Sequence, residues 1–125
     1  MATGGKGIHV ILPLTPGHSW DDHRNFAEAI ARVMAEEEPE RFVANMSKAK
    51  RRGKIFVDYL RNQRGATAIA PFSSRARKDA PVAWPVSWTQ LARLKNAQPA
   101  HVDDIARGPD PWKGYFRVKQ KLPRL

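Results

Sequence analysis

A glycine-bearing loop stands almost at the amino terminus and runs directly into a strand-forming segment. Thr3-Gly4-Gly5-Lys6-Gly7 leads into Ile8-His9-Val10-Ile11-Leu12, and only Met1 and Ala2 come before it. A loop of this kind is ordinarily held by structure that precedes it, so the arrangement predicts a chain that begins in the middle of a folding unit. Residues 8–12 are apolar and rich in β-branched side chains, and Pro13 closes the run, which predicts a strand. The length of 125 residues accommodates one domain, residues 1–125, with a single modest core and little room for a separate cleft. Apolar residues at 42% and charged residues at 27% place the chain among globular proteins.

The remaining elements follow from caps, periodicity and breakers. Thr15-Pro16-Gly17 is a turn, and Ser19 is an N-cap with Asp21 and Asp22 in the first turn, where the helix dipole favours acids. Phe26, Ile30, Val33 and Met34 keep helical spacing over residues 20–37, and Pro39 ends the helix. Residues 42–46 are a short apolar piece of undecided type, and residues 48–54 a basic loop or helix end. Residues 55–60 form the clearest strand, with a turn at 62–65 and a hairpin partner at 66–71. Pro81 and Pro85 mark a loop. Ser87 with Gln90 is a capping box opening a helix to Lys95. Asp103-Asp104-Ile105 is a short helical turn. Residues 109–111 are a linker, residues 109–125 a basic tail, and residues 112–122 of that tail are expected to be helical. Alternating strands and helices with a hairpin give the α/β (α+β) class, a mixed sheet with flanking helices.

Charge is distributed unevenly. Lys and Arg total 22 against 12 Asp and Glu, a net +10, which favours a polyanionic partner, nucleic acid first. Between residues 41 and 78 there are eleven cations and one acid, Asp58. This stretch is either a solvated basic face with an Asp58 ion pair, or a phosphate-binding surface around a metal-binding carboxylate. A membrane surface is the weaker partner, because no basic amphipathic helix stands out. The sequence contains no cysteine, which excludes disulfides and Cys-type zinc sites. No run approaches the roughly 18 apolar residues of a spanning helix. The first residues lack the order of a signal peptide, so a cytoplasmic protein is expected.

Three groups are candidates for chemistry. Strand alternation puts Phe56, Asp58 and Leu60 on one face, and a carboxylate among apolar neighbours needs a partner: Arg61 or a metal. His9 shares a strand face with Ile11. It is either a satisfied core histidine or a donor completing the phosphate cradle that Thr3, Lys6 and the loop N–H groups could form. The loop is neither a Walker A sequence nor a dinucleotide fingerprint. Arg75 and Arg77 are two apart, so in extended chain both guanidiniums would fork to one side; in a loop they would only be solvated.

Taken in order, these pieces resemble the polymerase domain of bacterial DNA ligase D, within the archaeo-eukaryotic primase superfamily. The resemblance rests on Gly4-Gly5-Lys6-Gly7-Ile8-His9-Val10, on Arg52-Gly53-Lys54-Ile55-Phe56-Val57-Asp58-Tyr59-Leu60-Arg61-Asn62, and on Arg64-Gly65-Ala66-Thr67-Ala68-Ile69-Ala70-Pro71-Phe72-Ser73. Arg75-Ala76-Arg77, Pro81-Val82 with Trp88, and the ending Asp110-Pro111-Trp112 with Gln120 extend it over nearly the whole chain. It implies a nucleotidyltransferase of the DNA/RNA polymerase or primase type, acting in DNA end repair by non-homologous end joining in the bacterial cytoplasm, near the nucleoid. Asp58 matches the third aspartate of a two-metal centre that uses Mn²⁺ or Mg²⁺ and a nucleoside triphosphate. The first aspartate pair would lie upstream of residue 1, so only the C-terminal portion of the domain is implied.

His9 matches the histidine that contacts the triphosphate. Thr3 stands where serine is usual, and Phe72 where tyrosine is usual. Arg61, Arg75 and Arg77 match the basic nucleotide side, and Lys48, Lys50, Arg51, Arg52, Lys54 and Arg64 are candidates for nucleic acid. With one matching carboxylate, the chain alone is expected to be inactive or nearly so. Three readings follow: half of a split polymerase whose separate N-terminal half or end-joining factors are partners, a non-catalytic nucleic-acid-binding homo-oligomer, or a remnant without function.

Overall fold

A computed structural model describes residues 1–104 and 111–123. Ile105 and residues 109–110 of the expected linker lie outside the described residues. The chain divides into two compact units. One comprises Thr15–Ala68 with the chain end from Lys121, the other Met1–Leu14 with Ile69–Gln120. The class is α/β: helices with a small two-stranded parallel sheet and isolated antiparallel bridges.

The first unit is organised by helix α1, Trp20–Glu37. Its start is a reciprocal capping box. The Asp22 N–H donates to Ser19 Oγ at 3.1 Å, and the Ser19 N–H donates to Asp22 Oδ2 at 2.7 Å. These bonds satisfy donors that the first turn would otherwise leave unpaired. Pro39 follows the C-cap residue Glu38, whose N–H still reaches Met34 O at 3.1 Å. The helix buries Ala31 and packs on β1 (Phe42–Val43) and on the tight turn Leu60–Asn62. Strand β1 pairs in parallel with β2 (Ile55–Phe56), Phe42 opposite Ile55 and Val43 opposite Phe56. A parallel pair needs a crossover rather than a tight hairpin. Here residues 44–54 supply it, including the 3₁₀ turn Ala49–Arg51 and Gly53 at φ +74.

Two expectations fail in this unit. The strand read over residues 55–60 stops at Phe56, because the Asp58 carboxylate takes the Leu60 N–H at 3.1 Å and starts a 3₁₀ turn. Residues 66–71 form no hairpin partner: the chain turns away after Phe56, and Thr67 O is taken by the Arg61 side chain rather than by a ladder bond.

The second unit is centred on residues 81–85. Trp84 and Ala2 exchange backbone hydrogen bonds at 2.8 and 2.9 Å, Val82 N–H reaches Ala100 O at 3.0 Å, and Ala83 N–H reaches Ser73 O at 2.9 Å. Val82, Pro81 and Pro85 are fully buried, and Ala2, Thr3, Ala83, Ala97 and Ala100 complete the core. Small residues let these backbones approach closely. The prolines that marked this segment as a loop are tolerated because Val82, Ala83 and Trp84, between them, carry all the N–H bonds.

Residues 8–12 are not a strand. Ile8 makes one bridge to Ala2, with Met1 and His9 hydrogen-bonded at 2.8 Å beside it. Helix α2, Trp88–Leu91, opens on the expected Ser87–Gln90 capping box but ends before Lys95, passing into i→i+3 turns. The tail is not a helix over 112–122. Gly114 at φ +89 breaks it, leaving the 3₁₀ turn Tyr115–Arg117 and extended chain. No helix among the described residues is long and apolar enough to cross a membrane.

Candidate nucleotide and nucleic-acid interface

In the second unit the glycine loop is held from downstream. The Gly4 N–H donates to Ala97 O at 2.9 Å, and the Gln98 side-chain amide donates to Gly5 O at 3.3 Å. Gly4 sits at φ +65, and a Cβ there would meet the Val82 carbonyl carbon at 2.9 Å. Only glycine fits both the conformation and the approach. Thr3, 8% exposed, ties the loop across. Its hydroxyl donates to Gly7 O at 2.7 Å and accepts from the Gly5 N–H at 3.2 Å, while its own N–H reaches Gly7 O at 3.1 Å. The single hydroxyl proton is therefore committed inside the loop, so Thr3 shapes the loop rather than presenting a donor outward. Lys6 is exposed at its tip, and His9 is half-buried just beyond.

Arg75 comes to the same loop. Its Nη2 lies 3.4 Å from where a Gly5 Cβ would stand, so the guanidinium lies directly against the loop backbone. Arg75 is positioned by its N–H to Pro81 O at 2.8 Å and by the bridge of Ser74 to Val82. The premise of an extended Arg75-Ala76-Arg77 does not hold. The Arg77 N–H closes a three-residue turn onto Arg75 O at 2.8 Å, so strand alternation does not align the two guanidiniums. Arg75 is half-buried and Arg77 exposed. Phe72 packs edge-on against Trp84 at 5.4 Å and is held at φ +63, a strained conformation for a bulky residue.

Asp58 and Arg61 lie in the first unit. Asp58 was expected among apolar neighbours on a strand face. Its side chain is instead 36% exposed, because the chain has left β2 before reaching it. The Arg61 Nε donates to Asp58 Oδ2 at 3.4 Å and its Nη1 to Thr67 O at 2.9 Å. The pair braces the turn that follows, and as an exposed ion pair it adds little stability. Lys48, Lys50, Arg52, Lys54 and Arg64 have no acid paired with them among the described residues. Arg51 differs: its guanidinium lies over the Phe56 ring at 4.7 Å. The crossover between β1 and β2 is thus a cation-rich segment without internal neutralisation.

A divalent metal pair requires several converging carboxylates. Among the described residues no group of three or more His, Asp or Glu converges, and both Asp58 oxygens already accept hydrogen bonds. The donor set of the described residues does not by itself fit a two-metal centre.

In fold, the chain is similar to a solved DNA-bound polymerase domain. The polymerase domain from Mycobacterium tuberculosis ligase D in complex with DNA aligns with TM-score 0.70 and 30% identity, over 79% of this chain and 36% of that one. The sequence profile of the LigD primase-polymerase domain matches residues 1–112, and the chain belongs to that family. It is 43% identical to the multifunctional non-homologous end joining protein LigD of Pseudomonas aeruginosa, over 96% of this chain and 15% of that protein. It is 32% identical to the bifunctional end-joining LigD of Bacillus subtilis, over 97% of this chain and 21% of that protein. The chain therefore spans about a fifth or less of these relatives.

Sequence patterns did not point to Gln98 as a loop support. An Asn-Ala-Gln-Pro stretch carries no periodic or motif signal, and only the folded chain brings it to Gly5.

Proposed function

We propose that this chain is the nucleotide- and DNA-binding portion of a LigD-type primase-polymerase serving non-homologous end joining. Its polymerase activity alone is expected to be little or none. The observation that carries this reading is the closed Thr3–Gly7 loop with the Arg75 guanidinium against Gly5. It is a preformed basic corner, of the kind that binds phosphate oxygens through charge-assisted hydrogen bonds. Lys6, His9, Arg75 and Arg77 are assigned to the triphosphate, with Thr3 setting the loop. Arg61, with Asp58 beside it, is assigned to the nucleotide side of the first unit. Lys48, Lys50, Arg51, Arg52, Lys54 and Arg64 are assigned to the DNA backbone. Mn²⁺ or Mg²⁺ would require carboxylates beyond Asp58, supplied by a separate N-terminal half or another end-joining partner. The bacterial cytoplasm, near nucleoid DNA, is the assigned location.

Calorimetric titration of a nucleoside triphosphate into the chain tests this directly. Binding that weakens in both Lys6→Ala and Arg75→Ala supports the assignment. Equal binding in both variants removes it. A second reading, a non-catalytic homo-oligomeric nucleic-acid-binding module, is favoured by the large apolar side chains left exposed on α1, Ile30, Val33 and Trp20, and by Trp88. Sedimentation of the chain alone separates the two. A self-associated species favours the module, and a monomer that pairs only with an added N-terminal half favours the split polymerase.

A further inference from the structure

The tail holds an aromatic cluster that the assignments above leave without a role. Trp112 and Tyr115 lie with ring centroids 4.0 Å apart and planes tilted by 36°. Phe116 stands 5.1 Å from Tyr115, nearly perpendicular, and 5.9 Å from Trp112. The 3₁₀ turn produces this grouping. The Tyr115 N–H bonds Trp112 O at 2.9 Å and the Arg117 N–H bonds Gly114 O at 3.0 Å, bringing positions 112, 115 and 116 together. The segment is anchored to its own unit by the Gln120 side-chain amide on Pro13 O at 2.8 Å. Burial raises the Tyr115 phenol above its ordinary range, in keeping with a ring covered by its neighbours. Phe116 by contrast is 78% exposed. An aromatic this open, braced from beneath by two others, stabilises the fold little.

The surroundings indicate what would cover it. Lys113, Arg117 and Lys119 are exposed around the cluster, and residues 111–123 contain no acid. An aliphatic protein surface would leave these cations unmatched. A strand with a phosphate at every residue and a flat base at every residue matches both features. We propose that Phe116, braced by Tyr115 and Trp112, is a stacking platform for an unpaired base of single-stranded DNA, with Lys113, Arg117 and Lys119 along its phosphates. This site is separate in residues from the cations at 48–64 and does not depend on polymerase activity.

The test is binding of the chain to an oligodeoxythymidylate of about twelve nucleotides and to a blunt duplex, followed by fluorescence anisotropy. Phe116→Ala and Phe116→Leu are each expected to weaken single-strand binding about tenfold, while Phe116→Trp retains it. Duplex binding should stay within about twofold, because a paired base offers no free face. Melting curves of the three variants check that the fold is intact, which the exposure of Phe116 favours. Wild-type affinity in Phe116→Leu would show that any apolar side chain suffices and would overturn the proposal. So would an equal loss on the duplex, or no binding of the single strand by the parent chain. Alanines at Lys48, Lys50 and Arg52 keep the two readings apart. If they weaken duplex binding while Phe116→Ala leaves the single strand unaffected, the platform is wrong and the backbone assignment stands.

Discussion

The two units handle their functional groups in opposite ways. In the unit built on α1, the candidate DNA-binding cations other than Arg64 sit on the β1–β2 crossover, and among the described residues none of the candidates has an acid paired with it. In the unit built on residues 81–85, the candidate phosphate loop is part of the core itself. Thr3 is buried, Gly4 packs on the Val82 backbone, and Gly5 is buried against the Arg75 guanidinium. Charge can therefore be removed from the first unit without unfolding it, whereas the loop of the second cannot be altered without disturbing its packing.

The largest effect tests the first half of that contrast. Alanine at Lys48, Lys50, Arg52, Lys54 and Arg64 together should reduce duplex DNA affinity at least a hundredfold and lower the salt slope by about 4 units. The melting temperature should hardly move. A large drop in melting temperature would show that these cations do hold the fold. The second half is tested by Gly4→Ala, which forces a left-handed alanine whose Cβ meets the Val82 backbone. A loss of about 2–4 kcal/mol is expected in chemical denaturation. Unchanged stability would mean the loop is not packed as described. Arg75→Ala sits between the two cases. It should weaken triphosphate binding about tenfold or more while costing less stability than Gly4→Ala.

Smaller effects concern the cap of α1. Ser19→Ala should destabilise by about 1 kcal/mol, read in thermal or denaturant unfolding. The Ser19 side-chain bond, then the Ser19 backbone bond, holds the Asp22 carboxyl below its ordinary value. A depressed folded pKa stabilises above the unfolded value and loses that stabilisation as pH falls through the folded one. Stability should therefore decline from about pH 4 downward, and Ser19→Ala should flatten that part of the profile. An identical acid profile in parent and variant would contradict the cap assignment.

Much of α1 was legible because its signals are local: Ser19, Asp22 and Pro39 specify both ends within a few residues. The Ser87–Gln90 box was legible for the same reason. Strands were less so. Residues 55–60 alternate well, yet their extent depends on β1, which is distant in sequence, and on Asp58 capturing Leu60 N–H. Residues 81–85 are irregular chain with isolated bridges, as Pro81 and Pro85 indicate, but their burial was not legible, because it depends on Ala2, Ala97 and Ala100, distant in sequence. The site divides in the same manner. Residue types and spacing indicated Lys6, His9, Asp58, Arg75 and Arg77, and the family resemblance gave roles to His9, Asp58, Arg61, Arg75 and Arg77. That the Thr3 proton faces inward, and that Arg75 rather than an extended Arg75–Arg77 fork meets the loop, follows only from packing.

The proposed function has this chain binding nucleotide and DNA with, among the described residues, one candidate catalytic carboxylate, too few for two-metal transfer. The direct measurement is template-dependent nucleotide addition by the purified chain with Mn²⁺, beside Asp58→Ala. The account predicts no extension above background from either protein. Extension by the parent chain that Asp58→Ala abolishes would contradict it.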